Sequence, residues 1–186
     1  MSQPATRYIL IPEVSSEKRK YVPVGFMDPD VIASNKVYII SEPSLYIFGL
    51  LQSLMHMAWL RTVGGRLESR YQYSATMVYN TFPWPNSTDA QRRTIEIAAD
   101  DVLEARAQFP DASLADLYDP LSMPTDLSKA HRALDKAVDA AYGAKAFASE
   151  ADRVAFLFKC YKMFASPLGL ELSAPDKKAR KKKAKV

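Results

Sequence analysis

The pattern of the chain changes once, at the segment Phe82-Pro83-Trp84-Pro85, and this change limits the folds available to it. Before it come short runs typical of β-strands and one long apolar run typical of a helix, whereas the pattern after it is helical. Because two prolines fix the chain direction, we interpret the segment as a rigid connector, with Phe82 and Trp84 packing into either half. The sequence predicts an α+β protein with a small mixed sheet and one long buried helix, followed by an all-α three-helix bundle.

Three short runs before the connector have the composition of strands. Residues 8–14 (YILIPEV) and 21–26 (YVPVGF) flank the charged turn SSEKRK and predict a hairpin, and residues 36–40 (KVYII) predict a third strand. Residues 44–63 then predict one buried helix, which a Gly-Gly pair ends. Polar residues interrupt its apolar run, which is shorter than the about 20 residues that cross a bilayer, so we expect no membrane segment.

The residues after the connector carry the signals of three helices. Thr88 and Gln91 make a capping-box pattern that predicts a helix to about Gln108. Apolar stripes at spacings of three and four predict a second helix over residues 125–142 and a third that begins at Ser149. We place the domain boundaries at residues 82 and 170, so that residues 1–82 and 83–170 form two domains. Residues 171–186 form a separate basic tail.

Charge is unevenly distributed along the chain. Residues 1–85 carry eight basic and six acidic side chains, residues 86–176 carry ten and fifteen, and the last ten residues carry seven basic ones. Since binding to phosphates depends on lysine and arginine, the acidic second half is poorly suited to lie along nucleic acid. We expect the tail to be disordered, because its like charges repel and no apolar surface offsets the cost of ordering. Both a solubilising end and a DNA-binding arm fit such a run.

Arg66, Glu68 and Arg70 are spaced by two within residues 66–73, which we interpret as one extended strand. In a strand these three side chains leave one face, and Tyr71 leaves the other. A fork of guanidinium donors beside a carboxylate suits the edges of a guanine–cytosine pair. The alternative is a solvated strand face with a weak cross-strand ion pair.

The sequence offers no catalytic or metal-binding pattern. It has neither a glycine-rich phosphate loop nor a zinc motif, and its single cysteine, Cys160, excludes an internal disulfide. The two histidines lie on separate predicted helices. We interpret His56 as a core histidine and expect His131 to pack with its ring partly exposed. We therefore assign no catalytic residue, metal ligand or cofactor to this chain.

Several long segments are similar to one protein family when taken in order. They are VGFMDPDVIASNKVYII, FGLLQSLMHMAWLRTVGGRLESRYQYS, VYNTFPWP, LADLYDPLSMPTDLSKAHRALDKAVDAAYG and FASEADRVAFLF. Over about residues 7–165 the chain resembles the C-terminal end of the MmeI-like, type IIL DNA adenine methyltransferases, many of which are single-chain restriction–modification enzymes.

The resemblance implies that residues 1–82 are part of a target recognition domain and residues 83–170 a helical C-terminal domain. The nuclease, helical spacer and methyltransferase domain that precede this region in the family are absent from this chain. S-adenosylmethionine is accordingly expected in the missing methyltransferase domain and not here. We expect Met1 to open a truncated gene or a cloned fragment.

The resemblance also implies a base-reading pair. The positions of Glu68 and Arg70 are taken in the family to read the base beside the methylated adenine, here a C·G pair with C on the methylated strand. The secondary candidates for a neighbouring base are Asn35, Lys36 and Gln72. Basic side chains that suit phosphates, which position a protein without reading sequence, are Lys18, Arg19, Lys20, Arg61 and Arg66.

The leading hypothesis is a DNA sequence-recognition module of a site-specific adenine-N6 methyltransferase, with no catalytic centre of its own. Its expected partners are double-stranded DNA and a methyltransferase domain or subunit, in the cytoplasm of a bacterium or archaeon. The alternative is a structural or protein-interaction module that docks onto a separate catalytic methyltransferase subunit.

Overall fold

The computed structural model describes residues 3–144 and 146–165 of the 186-residue chain. The predicted tail, residues 171–186, lies outside the described residues. Within the described part, no helix has the length and apolar character needed to span a membrane. The strands are β1 (Tyr8–Pro12), β2 (Val14–Ser15), β3 (Gly25–Met27), β4 (Val37–Ile40), β5 (Gly65–Leu67) and β6 (Arg70–Gln72). The helices are α1 (Leu45–Leu51), α2 (Leu54–Val63), a π-helical turn (Ala75–Tyr79), α3 (Asp89–Ala107), α4 (Leu114–Leu117), α5 (Thr125–Ala141) and α6 (Glu150–Ala165).

The α+β class is confirmed, but the described strands form two antiparallel sheets and not one mixed sheet. Their orders are β3-β1-β4 and β2-β6-β5. The antiparallel pairing of the predicted first hairpin is present between β1 and β3, in which Tyr8 lies opposite Met27. Its second strand begins only at Gly25, and residues 21–24 are not part of a strand. Between β1 and β3 the chain crosses to the other sheet at Glu13, since β2 pairs with β6.

The single long helix predicted over residues 44–63 is wrong, because the chain breaks at Gln52 and Ser53. Ser53 is extended, and its hydroxyl accepts from the amide of His56 at 3.3 Å, as an N-cap does. The amide of Leu54, the first residue of α2, donates to the Asp135 carboxylate on α5 at 2.7 Å. The break therefore satisfies the first amides of α2 with side-chain acceptors.

The three long helices after the connector do not close a bundle of their own. Helices α3 and α5 pack against each other and against α1, while α6 packs against α2. Gln91 at the start of α3 donates to the Ala140 carbonyl near the end of α5, so these two helices run antiparallel. Trp59 of α2 lies 5.3 Å from Phe158 of α6, centroid to centroid. The helical half therefore shares one hydrophobic core with the sheet-containing half.

Local signals in the helical half are confirmed. The Thr88–Gln91 capping box is formed at the start of α3. Gly143 follows α5 with φ of 80°, a left-handed conformation that glycine adopts without strain. In the connector, Phe82 is buried edge-on to His56, and the Pro83 carbonyl accepts from the Tyr142 hydroxyl at 2.9 Å.

His131 is fully buried, so its predicted partial exposure is wrong. Its Nδ1 lies 3.2 Å from the Gln52 carbonyl, which fits an Nδ1–H donor, and its Nε2 lies 2.6 Å from the Tyr118 hydroxyl. Arg106 donates to that hydroxyl and, at 2.8 Å, to the Val24 carbonyl. Burial and the nearby Arg106 charge lower the pKa of His131 to about 3. The imidazole therefore serves as a neutral link between the halves.

His56 is a buried core histidine, as predicted. Its Nε2 lies 3.0 Å from the Tyr73 hydroxyl, and burial lowers its pKa to about 3. Its Nδ1 has no hydrogen-bond partner within the described ranges.

Candidate nucleic-acid interface

The predicted reading strand is a hairpin. Strands β5 and β6 pair with each other, and Glu68 and Ser69 form the turn between them. Glu68 has φ of 57°, the left-handed region that a turn requires and that side chains other than glycine rarely adopt. The single extended strand over residues 66–73 is therefore wrong, because the chain reverses in its middle.

The hairpin changes which side chains share a face. Arg66 lies opposite Tyr71, so both point to the same face, and the Arg66 guanidinium stacks on the Tyr71 ring at 4.2 Å. Arg70 and Gln72 leave the other face of β6, since Tyr71 between them is buried. The predicted row of Arg66, Glu68 and Arg70 on one face is therefore wrong, although Glu68 and Arg70 remain neighbours.

Glu68 and Arg70 form an exposed pair at the tip of the hairpin. The Arg70 Nη2 lies 2.9 Å from Glu68 Oε2, and the side chains are 78% and 46% exposed for Glu68 and Arg70 respectively. A pair this exposed contributes little to stability, at most about 1 kcal/mol. The guanidinium retains further donors and the carboxylate further acceptor positions, so the pair can engage a ligand from solvent.

The structure brings Lys36 and Gln72 together around Glu13, which the sequence did not single out. The Glu13 carboxylate lies 3.7 Å from Lys36 Nζ and accepts from Gln72 Nε2 at 3.3 Å. Its backbone is held on both sides, since its amide donates to the Lys36 carbonyl and its carbonyl accepts from the amide of Tyr73. Asn35 is exposed in the turn just before Lys36. This arrangement defines a polar cluster of Glu13, Asn35, Lys36 and Gln72.

Gln72 connects the polar cluster to the hairpin tip. It lies on the same strand face as Arg70, two residues away, and opposite Gly65 of β5. A side chain at the glycine position would approach Gln72, whose Oε1 lies 3.4 Å from an ideal Cβ there. The tip and the cluster therefore form one continuous polar surface along β6.

The basic turn before β3 carries three of the predicted phosphate ligands. Lys18 and Lys20 are exposed. Arg19 is partly buried and donates to the Ala115 carbonyl at 3.3 Å. The turn adjoins the hairpin, because the Tyr71 hydroxyl donates to the carbonyl of Glu17 at 3.2 Å.

Arg61 differs from the other predicted phosphate ligands, because protein acceptors surround its guanidinium. Its Nε donates to the Tyr71 hydroxyl at 3.1 Å, and its Nη1 is bonded to the carboxylate of Glu150. Its Nη2 lies 3.4 Å from the carbonyls of Arg19 and Lys20. Only 20% of its side chain is exposed.

Within the described residues, His, Cys, Asp and Glu side chains form no group able to hold a metal ion. The polar surface is built from amide, guanidinium, ammonium and carboxylate groups on strands and tight turns. Such groups match the donors and acceptors of base edges.

Both parts of this fold match described protein domains. Residues 1–86 match the family described as MmeI, target recognition domain, and residues 87–169 match the MmeI C-terminal domain. Together the two matches span almost all of the described chain. The chain belongs to the MmeI family.

Two relatives illustrate the match. A DNA methyltransferase A of Bacillus subtilis (strain 168) is 42% identical over 153 residues, which are 82% of this chain and 17% of that protein. The solved structure of the type IIL restriction-modification enzyme MmeI in complex with DNA is 55% identical, with a TM-score of 0.86. The matched region covers 89% of this chain and 22% of the MmeI chain. The chain thus spans about a fifth of the length of each relative.

Proposed function

We propose that this chain is the DNA sequence-recognition module of a site-specific adenine-N6 DNA methyltransferase. The observation that carries the proposal is the exposed Glu68–Arg70 pair at the tip of a hairpin, within the segment that matches a target recognition domain. Residues 1–82 supply the polar surface proposed to read bases. The helices from residue 83 onward stabilise this part of the chain by packing against it in the shared hydrophobic core.

Arg70 and Glu68 have the chemistry to read one C·G pair in the major groove. A guanidinium donates to the O6 and N7 acceptors of guanine, and a carboxylate accepts from the N4 amino group of cytosine. The ion pair holds the two groups side by side at 2.9 Å, which suits the neighbouring edges of one base pair. We propose that this pair lies beside the methylated adenine, with C on the methylated strand.

The polar cluster is proposed to read a neighbouring base pair. Lys36 and Gln72 provide donors, and Glu13, which contacts both, fixes their directions. Asn35 adds an amide that can both donate and accept. Because Gln72 and Arg70 share one face of β6, the two reading positions follow each other along the groove.

Phosphate contacts are proposed for the basic side chains beside the hairpin. Lys18 and Lys20 are exposed, Arg19 lies between them, and Arg66 flanks the hairpin from its other face. Such contacts set the register of the protein on the duplex without reading sequence. Arg61 is not included, since its donors are directed at protein acceptors.

Methyl transfer itself is assigned to a methyltransferase domain or subunit outside this chain. That partner would hold S-adenosylmethionine and the target adenine, and the present chain would place it on its sequence. The proposed setting is the cytoplasm of a bacterium or archaeon, where such an enzyme meets DNA.

Selection from a library of duplexes randomised at their central positions tests the proposal. The wild-type chain should enrich sequences with a fixed C·G pair, and the double variant Glu68→Lys/Arg70→Asp should enrich a different base pair at that position only. Lys18→Ala is the matched control, because loss of a phosphate contact should weaken all sequences alike. Enrichment that is identical for wild type and double variant would refute base reading by this pair.

A further inference from the structure

Arg61 joins three parts of the molecule through one side chain. Its guanidinium reaches the Tyr71 hydroxyl on β6, the Glu150 carboxylate on α6 and two backbone carbonyls of the basic turn. Arginine suits this position because its planar fork presents several donors in fixed directions, which lysine cannot do. The Arg61 side chain thus cross-links the hairpin, helix α6 and the basic turn through hydrogen bonds and an ion pair. It is not a free surface cation.

Tyr71 links Arg61 to the proposed base-reading residues on β6 and to the proposed phosphate-binding residues beside them. It lies between Arg70 and Gln72 on β6, so its position sets the position of both. Its hydroxyl accepts from Arg61 at 3.1 Å and donates to the Glu17 carbonyl at 3.2 Å. Its ring also holds the Arg66 guanidinium at 4.2 Å. A shift of Tyr71 would therefore move the hairpin relative to the basic turn.

Glu150 connects Arg61 to the C-terminal half of the chain. It is the first residue of α6, a helix that packs on α2 through Trp59, which lies 5.3 Å from Phe158 and 5.8 Å from Tyr161. Arg61 belongs to the last turn of α2, so the Glu150 carboxylate holds its guanidinium from outside the sheet. A helix remote in sequence thus fixes the donor that orients the hairpin.

We propose that Arg61, Tyr71 and Glu150 form a positioning relay that sets the DNA specificity of the hairpin from helix α6. The relay rests on the proposed function, since it acts on the groups assigned to base reading. Arg61 holds the hairpin and the basic turn at a fixed separation, so that the base-reading groups meet their base pair when the turn meets its phosphates. Base reading requires placement to within a fraction of an ångström, so loosening the relay lowers discrimination before it lowers binding.

Three single variants of the full chain test the relay. Glu150→Gln removes the charge that holds Arg61, Tyr71→Phe removes the hydroxyl but keeps the ring, and Arg61→Lys keeps the net charge but loses the fork. Asp126→Asn is the matched control, because Asp126 forms an exposed ion pair on α5 and its loss changes the net charge as Glu150→Gln does. Discrimination is the ratio of affinities for the selected duplex and for the same duplex with the C·G pair changed.

The relay predicts that each of the three variants lowers discrimination about tenfold, the scale of one lost charged hydrogen bond. Affinity for the changed duplex should stay within about threefold in all four variants. Amide hydrogen exchange of residues 65–72, measured without DNA, should accelerate in the three relay variants and not in Asp126→Asn.

The outcomes separate the relay from the proposed function. Unchanged discrimination in all three relay variants, with a wild-type chain that does discriminate, overturns the relay and leaves base reading intact. Unchanged exchange of residues 65–72 also overturns it, because Arg61 would then not hold the hairpin. A wild-type chain that binds both duplexes equally overturns the proposed function and the relay together.

Discussion

Replacing Gly49 with alanine adds one methyl group at the point where α1 meets α3 and α5. An ideal Cβ at Gly49 would lie 2.8 Å from Cγ2 of Ile95, 3.2 Å from Cβ of Ala99 and 3.2 Å from Cδ1 of Leu134. Gly49 belongs to the half of the chain before the connector, and its three neighbours belong to the half after it. The substitution therefore tests whether the two halves share one closely packed core.

Two opposing effects set the size of the change. Alanine is the better helix former by about 1 kcal/mol, which would stabilise α1 if nothing touched it. Overpacking a core with an extra methyl group costs about 1–3 kcal/mol. Cγ2 of Ile95 is attached to a β-branched carbon with one preferred rotamer in a helix, so it cannot rotate away and the helices must separate. The 2.8 Å approach to Cγ2 of Ile95 places the overpacking cost in the upper part of that range, about 2–3 kcal/mol. After subtraction of the helix propensity gain of about 1 kcal/mol, we expect Gly49→Ala to lower the free energy of unfolding by about 1–2 kcal/mol.

Urea denaturation of four proteins measures the effect and its cause. These are the wild type, Gly49→Ala, Ile95→Ala and the double variant, which make a double-mutant cycle. Ile95→Ala alone should cost about 2–5 kcal/mol through the cavity it leaves. In that background the shortest of the three contacts is gone, while those to Ala99 and Leu134 at 3.2 Å remain. The cost of Gly49→Ala should therefore be smaller than in the wild type, because its helix propensity gain of about 1 kcal/mol is opposed by less overpacking. Stabilisation by Gly49→Ala in the wild type would refute the close approach of α1 and α3.

Two further predictions concern pH and helix capping. The buried His56 and His131 have pKa values lowered from 6.5 to about 3, so the unfolded chain takes up their protons first as pH falls. Their contribution to stability is complete above about pH 6.5 and declines below it, by up to about 2.7 kcal/mol per pH unit for both. Burial raises the pKa of Asp135, so this carboxyl binds its proton more readily in the folded chain and partly offsets the loss of stability at low pH. Urea titrations at successive pH values should show that the free energy of unfolding falls as the pH is lowered below about 6.5. A free energy of unfolding that does not change with pH would contradict the burial of neutral histidines. Thr88→Ala should lower the free energy of unfolding by about 1 kcal/mol, because it removes the capping-box hydroxyl of α3. The control is Thr94→Ala in the same helix, whose hydroxyl donates to the Ala90 carbonyl, and it should change the melting temperature little. Equal decreases in melting temperature for the two variants would contradict the capping argument.

Elements that depend on neighbouring residues could be predicted from the sequence. The capping box at Thr88, the start of α5 at Thr125 and the helix end before Gly143 each depend on residues within one or two turns. Short runs with the composition of strands likewise predicted β1 and β4 within about two residues.

The errors arose where distant residues decide the local structure. Ser53 is a local capping residue at the helix break, but it lies within an apolar run that continues on both sides. The acceptor for the Leu54 amide comes from Asp135, 81 residues away, and no pattern near the break reveals that contact. The hairpin turn places Glu68, not glycine, at a positive φ, which removes the usual turn signal. Glu13 was missed because its partners lie far away in sequence, Gln72 on β6 and Lys36 in the turn before β4. A single carboxylate after Pro12 carries no signal of its own.

Methylation interference at guanine N7 tests the central claim most directly, because N7 lies in the major groove and is an acceptor that Arg70 is proposed to use. The selected duplex is methylated at one guanine at a time, and the fraction that still binds the wild-type chain is compared with the fraction that binds Arg70→Ala. We predict that methylating the guanine of the C·G pair abolishes selective binding by the wild type and makes no difference to Arg70→Ala. Equal binding of methylated and unmethylated duplex by the wild-type chain would contradict major-groove reading by the Glu68–Arg70 pair.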